Sequence, residues 1–560
     1  MTVRIPAPLL LDSYKSSHRK QYSPNTEVVY STWTPRKSRE SGIDKVVVFG
    51  IQAFIQDYLV ELFNQTFFYR KKEDVIPVIK EIMQNYTGDS DTSHWEALHD
   101  LGYLPLEIRA LPEGTLCPIR VPMATIENTK PEFYWLTNFI ETIFSTEVWK
   151  PMTSATIALQ YRKILDSYAE KTCDNNDHVD YQGHDFSLRG MAGVDAGLSS
   201  GAGHLVSFKG SDTIPAVFWI EKYYQTKNIN GSVATSIPAT EHSVAETNII
   251  EIQEVLEKNK VYYWKNPETG ESREFDLDEN TDPRMIAEAI YFQRLLSVYP
   301  KGFFSYVSDT YNLWDVCTQI LPMFRDQILN RDGRVVVRPD SGDPVDILCG
   351  YNTKTFFDDY RGIDKPVRLR DESDTPYYNE INKGVIELLW ETFGGTVNSK
   401  GYKVLDPHIG CIYGDAITLE RAEEICKRLE KKGFASSNVV LGIGSYTYNM
   451  NTRDTFGFAL KTTYGVVGGK ELLLYKDPIT DDGTKKSQKG RVIVLRNENG
   501  DLTYIDNLYK SEWEKRVNNG EDELRTVFKD GEVMNTQSFD MVRATLKHEL
   551  SGSTRRLTTV

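Results

Sequence analysis

At 560 residues the chain is long enough for two or more structural units. Hydrophobic and charged residues make up 40% and 26% of it, which excludes a disordered or fibrous protein, and no stretch nears the ~18 apolar residues of a membrane span. The net charge of −15 excludes a broad nucleic-acid footprint, so an anionic ligand has to be met by a local cluster of Lys and Arg.

The first 150 residues read as a mixed α and β stretch. Residues 1–20 carry no signal-peptide core of adequate length. The segment 26–33 has the β-branched and aromatic character of a strand and leads into the basic Arg36-Lys-Ser-Arg39. Residues 50–63 have helical period, with Ile51, Phe54, Ile55, Tyr58, Leu59 and Leu62 on one face. Short strands are predicted within 104–126, and two helices, 134–149 and 153–171, on either side of Pro151. Six cysteines are scattered, with no CxxC and no metal-ligand spacing. They read as reduced thiols, and the expected setting is cytoplasmic.

From about 180 to 445 the rhythm changes. Short apolar runs end in polar, Gly-containing clusters at 184–190, 205–212, 236–242, 303–309, 335–343, 409–415 and 439–444. Helical patterns at 245–259, 286–298, 311–329 and 419–432 lie between several of them. This repetition predicts an α/β fold, an irregular β/α barrel with its site at the C-terminal strand ends. A doubly wound open sheet is the alternative. The stretches 262–282 and 349–382 interrupt the rhythm and are expected to be surface insertions or mobile loops. After 445, strands at 470–475 and 490–495 flank a basic loop, and the last ten or so residues are expected to fray.

The densest chemistry follows the strand of Val335, Val336 and Val337, where Arg338, Asp340, Ser341 and Asp343 crowd into a break at Pro339 and Gly342. Two carboxylates and an arginine at one strand end suit a phosphorylated sugar and its metal ion. An Asx-capped turn is the structural reading. Asp309 is either the N-cap of the next helix or, with Asp340 and Asp415, one of three carboxylates facing a single mouth. Such a trio serves ribose hydroxyls and hydrated Mg²⁺. Gly442, Gly444 and Ser445 form either a tight turn or a backbone cradle for phosphate. Arg189, Arg338, Arg453, Lys461, Lys476, Lys485, Lys486, Lys489 and Arg491 are each ordinary surface cations, yet jointly they fit a highly charged phosphate ligand. His242, beside Glu241, is either structural or a neutral imidazole able to accept a phosphoryl group. Phe186 and Tyr14, as single aromatics, default to packing.

Taken together these stretches resemble the nicotinamide phosphoribosyltransferase family along most of the chain. The resemblance is carried by Asp12-Ser-Tyr-Lys15, Tyr134-Trp-Leu-Thr-Asn138, His184-Asp-Phe186 with Arg189-Gly190, and Phe208-Lys-Gly-Ser-Asp-Thr213. It continues through Glu241-His-Ser243, Val307-Ser-Asp309, Arg338-Pro-Asp-Ser-Gly342, Gly414-Asp415, Thr452-Arg-Asp454, Lys476-Asp-Pro478 and Lys489-Gly-Arg491. It implies a homodimer with the barrel at 151–445 and a second α+β domain assembled from 1–150 and 446–560. It implies that nicotinamide and phosphoribosyl pyrophosphate become nicotinamide mononucleotide and pyrophosphate, with Mg²⁺ and with ATP as a facultative co-substrate. By the same resemblance Phe186 and the partner's Tyr14 sandwich the pyridine, Asp212 accepts the carboxamide N–H, and Arg338 meets the amide oxygen or pyrophosphate. Arg189 and His242 lie near the pyrophosphate, and His242 is the phosphorylated residue. Asp309, Asp340 and Asp415 serve ribose and metal, and Gly414, Gly444 and Ser445 the 5′-phosphate. Arg453 and Lys461 reach that phosphate from the partner, while Arg36, Lys476 and Lys485 face pyrophosphate or ATP. The chain departs from the family at Ser445-Tyr-Thr-Tyr448, where the family has more glycine, and in the insertions near 262–282 and 349–382.

The chemistry fits a chain without a Ser/His/Asp or Cys/His signature, because the pyridine nitrogen is itself the nucleophile. The protein has to position it, stabilise the leaving pyrophosphate and exclude water. Three rivals differ in what they require. The nicotinate enzyme is opposed by Asp212, since two carboxylates about 4 Å apart cost roughly 4 kcal/mol at an effective dielectric near 20. A sugar-phosphate isomerase or aldolase requires a Schiff-base lysine, for which Lys209 is the strand-end candidate. A non-catalytic binding protein has no use for the full set of polar strand ends.

Overall fold

Two sheets carry the molecule in the computed structural model, which describes residues 5–266, 268–278, 281–351, 378–414, 416–480 and 486–551. In chain order their strands are β1 (Thr26–Pro35), β2 (Leu106–Ala110), β3 (Ala124–Asn128), β4 (Gly183–Asp185), β5 (Gly210–Ser211), β6 (Lys301–Val307), β7 (Asp332–Arg338), β8 (Ile409–Tyr413), β9 (Val439–Ile443), β10 (Phe458–Val467), β11 (Lys470–Leu473), β12 (Arg525–Lys529) and β13 (Glu532–Val533). One sheet is parallel, in the order β6-β7-β8-β9-β4-β5. The other has the order β11-β10-β1-β3-β2-β12-β13 and joins antiparallel strands from both chain ends. The fold class is therefore the α/β one expected, with a curled parallel sheet and a second α+β unit.

The parallel sheet closes through a segment that is not a regular strand. Ser211 N–H donates to Thr235 O at 3.1 Å, and Thr235 N–H donates to Lys209 O at 2.8 Å. Five residues on, Thr240 N–H donates to Ser305 O at 3.0 Å, and Ser305 N–H to Pro238 O at 2.8 Å. Residues 235–240 thus bridge β5 to β6, and seven extended segments go round. Pro238 has no N–H to give a ladder, which explains why the segment pairs only at single bridges. Val335, Val336 and Val337 of β7 are all buried, as a strand covered on both faces requires.

Helices cover the barrel, and several differ from the sequence expectation. The two helices expected around Pro151 are one, Glu141–Thr172. Pro151 lacks a donor but does not break it, because its ring is seated over Gly50, where an added Cβ would fall 2.5 Å from Pro151 Cγ. Helices Val194–Leu205 and Ile214–Tyr224 were not expected. The first hides its period in small residues that let it approach the long helix: a Cβ at Gly203 would meet Pro151 O at 2.8 Å. The period at 50–63 is helical but widens into π turns over Ile55–Leu62. The helix expected at 311–329 breaks into short pieces around Pro322. The supposed loop at 262–282 is largely a hairpin, Val261–Lys265 with Ser272–Asp276, whose Trp264 and Phe275 are buried in the barrel core. Of the second insertion, residues 352–377 lie outside the described residues, as do the last nine residues, where fraying was expected.

Candidate active site

Parallel pairing sets the geometry of the mouth. β6 and β7 run in register with Val307 opposite Arg338, so the chains leave the sheet side by side. Asp340 N–H donates to Asp309 Oδ2 at 2.9 Å, and His242 Nε2–H donates to Asp309 Oδ1 at 3.2 Å. The helix after Asp309 is capped by Asn312, whose side chain accepts from Trp314 N–H, so Asp309 is not a cap. Asp343 is one: it accepts from Val345 and Asp346 N–H and pairs with Arg421 at 3.3 Å. Of the carboxylates crowded after β7, Asp340 therefore faces the mouth and Asp343 serves the fold.

The next strand ends are held tightly against these. A Cβ at Gly414 would lie 2.4 Å from Asp340 Oδ1, and one at Gly442 would lie 2.8 Å from Gly414 O. A Cβ at Gly190 would lie 2.1 Å from Ser445 Oγ. Glycine at these positions lets Asp340, Gly414, Gly190 and Ser445 share one rim. Asp415 lies outside the described residues. Burial, then Asp309, Asp340 and Asp343, push the Tyr413 phenol far above its ordinary range, a sign of how much negative charge gathers here. The donors on offer are all oxygens, and among the described residues no set of three or more His, Cys, Asp or Glu forms a closed cage. Two adjacent carboxylates of this kind fit a hard divalent cation that keeps its waters and borrows ligand oxygens.

Behind the rim, a cavity of about 560 Å³ runs through the barrel, from Phe186, Asp212 and Arg338 to Arg334 and Asn438. His184 Nε2–H donates to Asp212 Oδ1 at 2.8 Å, and Ser236 Oγ–H donates to the same oxygen. Burial pushes the Asp212 carboxyl up, but His184, then Ser236 and Arg338, outweigh it and hold the group below its ordinary range. The half-buried Phe186 ring lines the cavity, its centroid 4.5 Å from that of the His184 ring. Arg338 Nη2–H donates to Thr240 O at 2.6 Å, while its buried Nε has no hydrogen-bond partner among the described residues; nor does Ser305 Oγ, also in the cavity wall. Orphaned buried polar atoms in such a wall are what a polar ligand would satisfy.

The remaining sequence candidates fall into two groups. Arg189 is exposed on the short turn Leu188–Gly190, next to the Gly190–Ser445 contact. Lys461 is on β10 of the sheet of the chain ends, and Tyr14, Arg36, Arg453 and Lys476 lie on the turns and short helices of the two chain ends. Arg36 Nε–H donates to Gly457 O at 3.0 Å, Tyr14 is 59% exposed, and Arg453 pairs with its neighbour Asp454. Burial lowers the Lys461 amine; Glu141 opposes this, while Arg36, Lys15 and Lys476 add to it, which places the four cations in one cluster. Lys485 lies outside the described residues. The cluster sits by Glu141, at the start of the long helix. Tyr161, twenty residues on and roughly 30 Å along that helix, donates its hydroxyl to Ile417 O by the barrel rim. Lys209, the Schiff-base candidate, is ion-paired with Asp180 at 3.0 Å.

Sequence reasoning missed His184, Ser236 and Thr240 as site residues. His184 carried a signal, since it opens a strand-end cluster. Ser236 and Thr240 lie in the strand-end cluster read at 236–242, but nothing set them apart within it, since their contacts with Asp212 and Arg338 arise only in the fold.

A family model described as the nicotinate phosphoribosyltransferase family matches residues 181–532, and one described as the nicotinamide phosphoribosyltransferase N-terminal domain matches residues 8–107. A nicotinamide phosphoribosyltransferase of Acinetobacter baylyi is 44% identical, with 98% of this chain and 99% of that protein covered. One of Mycoplasma pneumoniae is 32% identical, with 86% and 94% covered. The solved structure of human nicotinic acid phosphoribosyltransferase has the same fold, with a TM-score of 0.51 at 15% identity over 97% of this chain and 94% of that one. The chain belongs to the nicotinamide phosphoribosyltransferase family and is a phosphoribosyltransferase enzyme.

Proposed function

We propose that the protein joins nicotinamide to phosphoribosyl pyrophosphate, giving nicotinamide mononucleotide and pyrophosphate for NAD synthesis. The observation that carries this is the anchored Asp212 carboxylate in the cavity wall. It accepts the carboxamide N–H and repels the carboxylate of nicotinate. Phe186 stacks on the ring and points its nitrogen at C1 of the ribose. The new C–N bond forms as the C1–O bond breaks, and pyrophosphate leaves with the electron pair toward Arg338 and Arg189. Asp309 and Asp340 would hold Mg²⁺, which neutralises the leaving pyrophosphate, while Asp340 and Gly414 receive the ribose hydroxyls. Gly444 and Ser445 take the 5′-phosphate. Because Nε2–H of His242 points at Asp309, Nδ1 keeps its lone pair for the γ-phosphorus of ATP. A P–N bond forms there as ADP departs, and its hydrolysis draws synthesis forward.

The basic cluster lies some distance along the long helix from its own barrel, which supports a homodimer whose sites are completed across the interface. Tyr14, Arg36, Arg453, Lys461, Lys476 and Lys485 would be the partner's contribution. Six free, buried cysteines support a reducing, cytoplasmic setting, and no helix among the described residues is long and apolar enough to cross a membrane.

A product assay with both pyridines, with and without ATP, tests the reading. Nicotinamide is the preferred substrate, and ATP raises the yield. Equal turnover of nicotinate would refute the assignment of Asp212. Labelled ATP should mark the protein at an acid-labile site that His242→Ala removes; persistence of the label in that variant would exclude His242.

A further inference from the structure

The departure at Ser445-Tyr-Thr-Tyr448 has a structural answer. Where a glycine-rich loop would leave the backbone free, this chain forms a short helix, Ser445–Asn449, and Tyr448 within it is fully buried. Three side chains from two helices hold it. His204 Nε2 lies 3.0 Å from Gly210 O, a group that can only accept, so that nitrogen carries the proton. Nδ1 is then the acceptor, and the Tyr448 hydroxyl donates to it at 2.7 Å. Lys150, a buried cation of the long helix, donates to Tyr448 O and, at 3.0 Å, to Asn451 Oδ1. Thr447 Oγ1 lies 3.0 Å from the Tyr161 hydroxyl.

We propose that Tyr448, held by Lys150 and His204, is a positioning residue that fixes Gly444 and Ser445 for the 5′-phosphate of the sugar substrate. The geometry has two consequences. The turn bearing Ser445 is ordered before any ligand arrives, so binding does not have to order a loop. The path Gly210–His204–Tyr448 also ties the strand that precedes Asp212 to the phosphate end, holding the two halves of the site at a set spacing. His204 is pushed down to about 4 by burial, so it remains neutral and keeps accepting through the physiological range. This rests on the reading that Ser445 faces the 5′-phosphate.

Steady-state kinetics on the full-length enzyme separate the two ideas. Ser445→Glu sets a carboxylate against the phosphate and tests the reading: KM for phosphoribosyl pyrophosphate should rise by about a hundredfold or more. An unchanged KM overturns the reading and the proposal with it. Tyr448→Phe keeps the buried ring and removes the donor. It should raise that KM about five- to tenfold, with KM for nicotinamide within about twofold. Lys150→Met should do the same and Lys150→Arg should restore it, and this pair decides the matter if Tyr448→Phe does not fold. If Ser445→Glu behaves as expected but the Tyr448 and Lys150 variants lower only the thermal midpoint, or shift both KM values equally, these residues are merely structural and the proposal fails.

Discussion

The Asp212 side chain remains 43% exposed although one oxygen already accepts two hydrogen bonds, so its other oxygen is available to a ligand. Replacing it with Ser would remove the charge proposed above to oppose nicotinate. The preference for nicotinamide, read as the ratio of the two kcat/KM values, should narrow by up to about a thousandfold, the equivalent of roughly 4 kcal/mol. An unchanged ratio would move the selectivity elsewhere. Glu288 raises a separate question of charge. It is 2% exposed, accepts from the Tyr306 hydroxyl at 2.6 Å, and is pushed up to about 7 by burial, against that hydrogen bond and with help from Asp315 and Asp309. The unfolded chain loses this proton near 4.5, whereas the native protein keeps it to about 7. Stability from this group is therefore full below 4.5 and falls as the pH rises to about 7. Glu288→Gln should remove about 3 kcal/mol of that fall, seen by comparing urea midpoints on either side of the window. Glu147 and Asp522 are raised likewise and remain as a common background. A variant with the parent's pH slope would mean that Glu288 is ionised throughout.

At the level of elements, the long helix shows how a local rule is overruled by packing. Pro151 survives inside it because Gly50, at φ +94°, leaves room for the ring. Gly50→Ala would suffer both the left-handed backbone and the clash, and should lower the unfolding free energy by about 3 kcal/mol or more. Denaturant titration measures this; a loss under ~1 kcal/mol would show that the helix can shift. The same contrast explains what the sequence disclosed. β7 was legible because Val335 to Val337 combine β-branching with an abrupt polar break, and the repetition of that design six times gave the barrel. Asp309 looked like a helix cap and Asp343 like one more carboxylate of the polar break; register and neighbours reverse this, leaving the first shared by His242 and Asp340 and the second capping its own helix. The closing segment was legible as one of the polar strand ends, at 236–242; what the sequence did not show is that it pairs only at single bridges, because Pro238 has no N–H for a ladder. The helix Val194–Leu205 was illegible because close approach to a neighbour selects Gly and Ser, which erase hydrophobic period.

Across the whole molecule, the acidic net charge repels anions in general, and the local cluster of Lys15, Arg36, Lys461 and Lys476 stands against that background. If that cluster completes the barrel mouth of a second copy, two inactive variants should rescue one another. Arg36→Ala and Arg338→Ala, co-expressed, would give mixed dimers with one intact site, and about a quarter of the parental activity should return. Activity no higher than that of either variant alone would place both residues in a site formed within one chain. The seam at 235–240 bears on a different matter, the order in which the site is assembled. Ser236 and Thr240 lie in the seam, and His242 follows it directly, so these groups take their places only when the two sheet edges meet. A nascent or half-folded chain, its barrel still open, lacks the Asp309–His242 pairing. Closing the fold and assembling the candidate site are then one event.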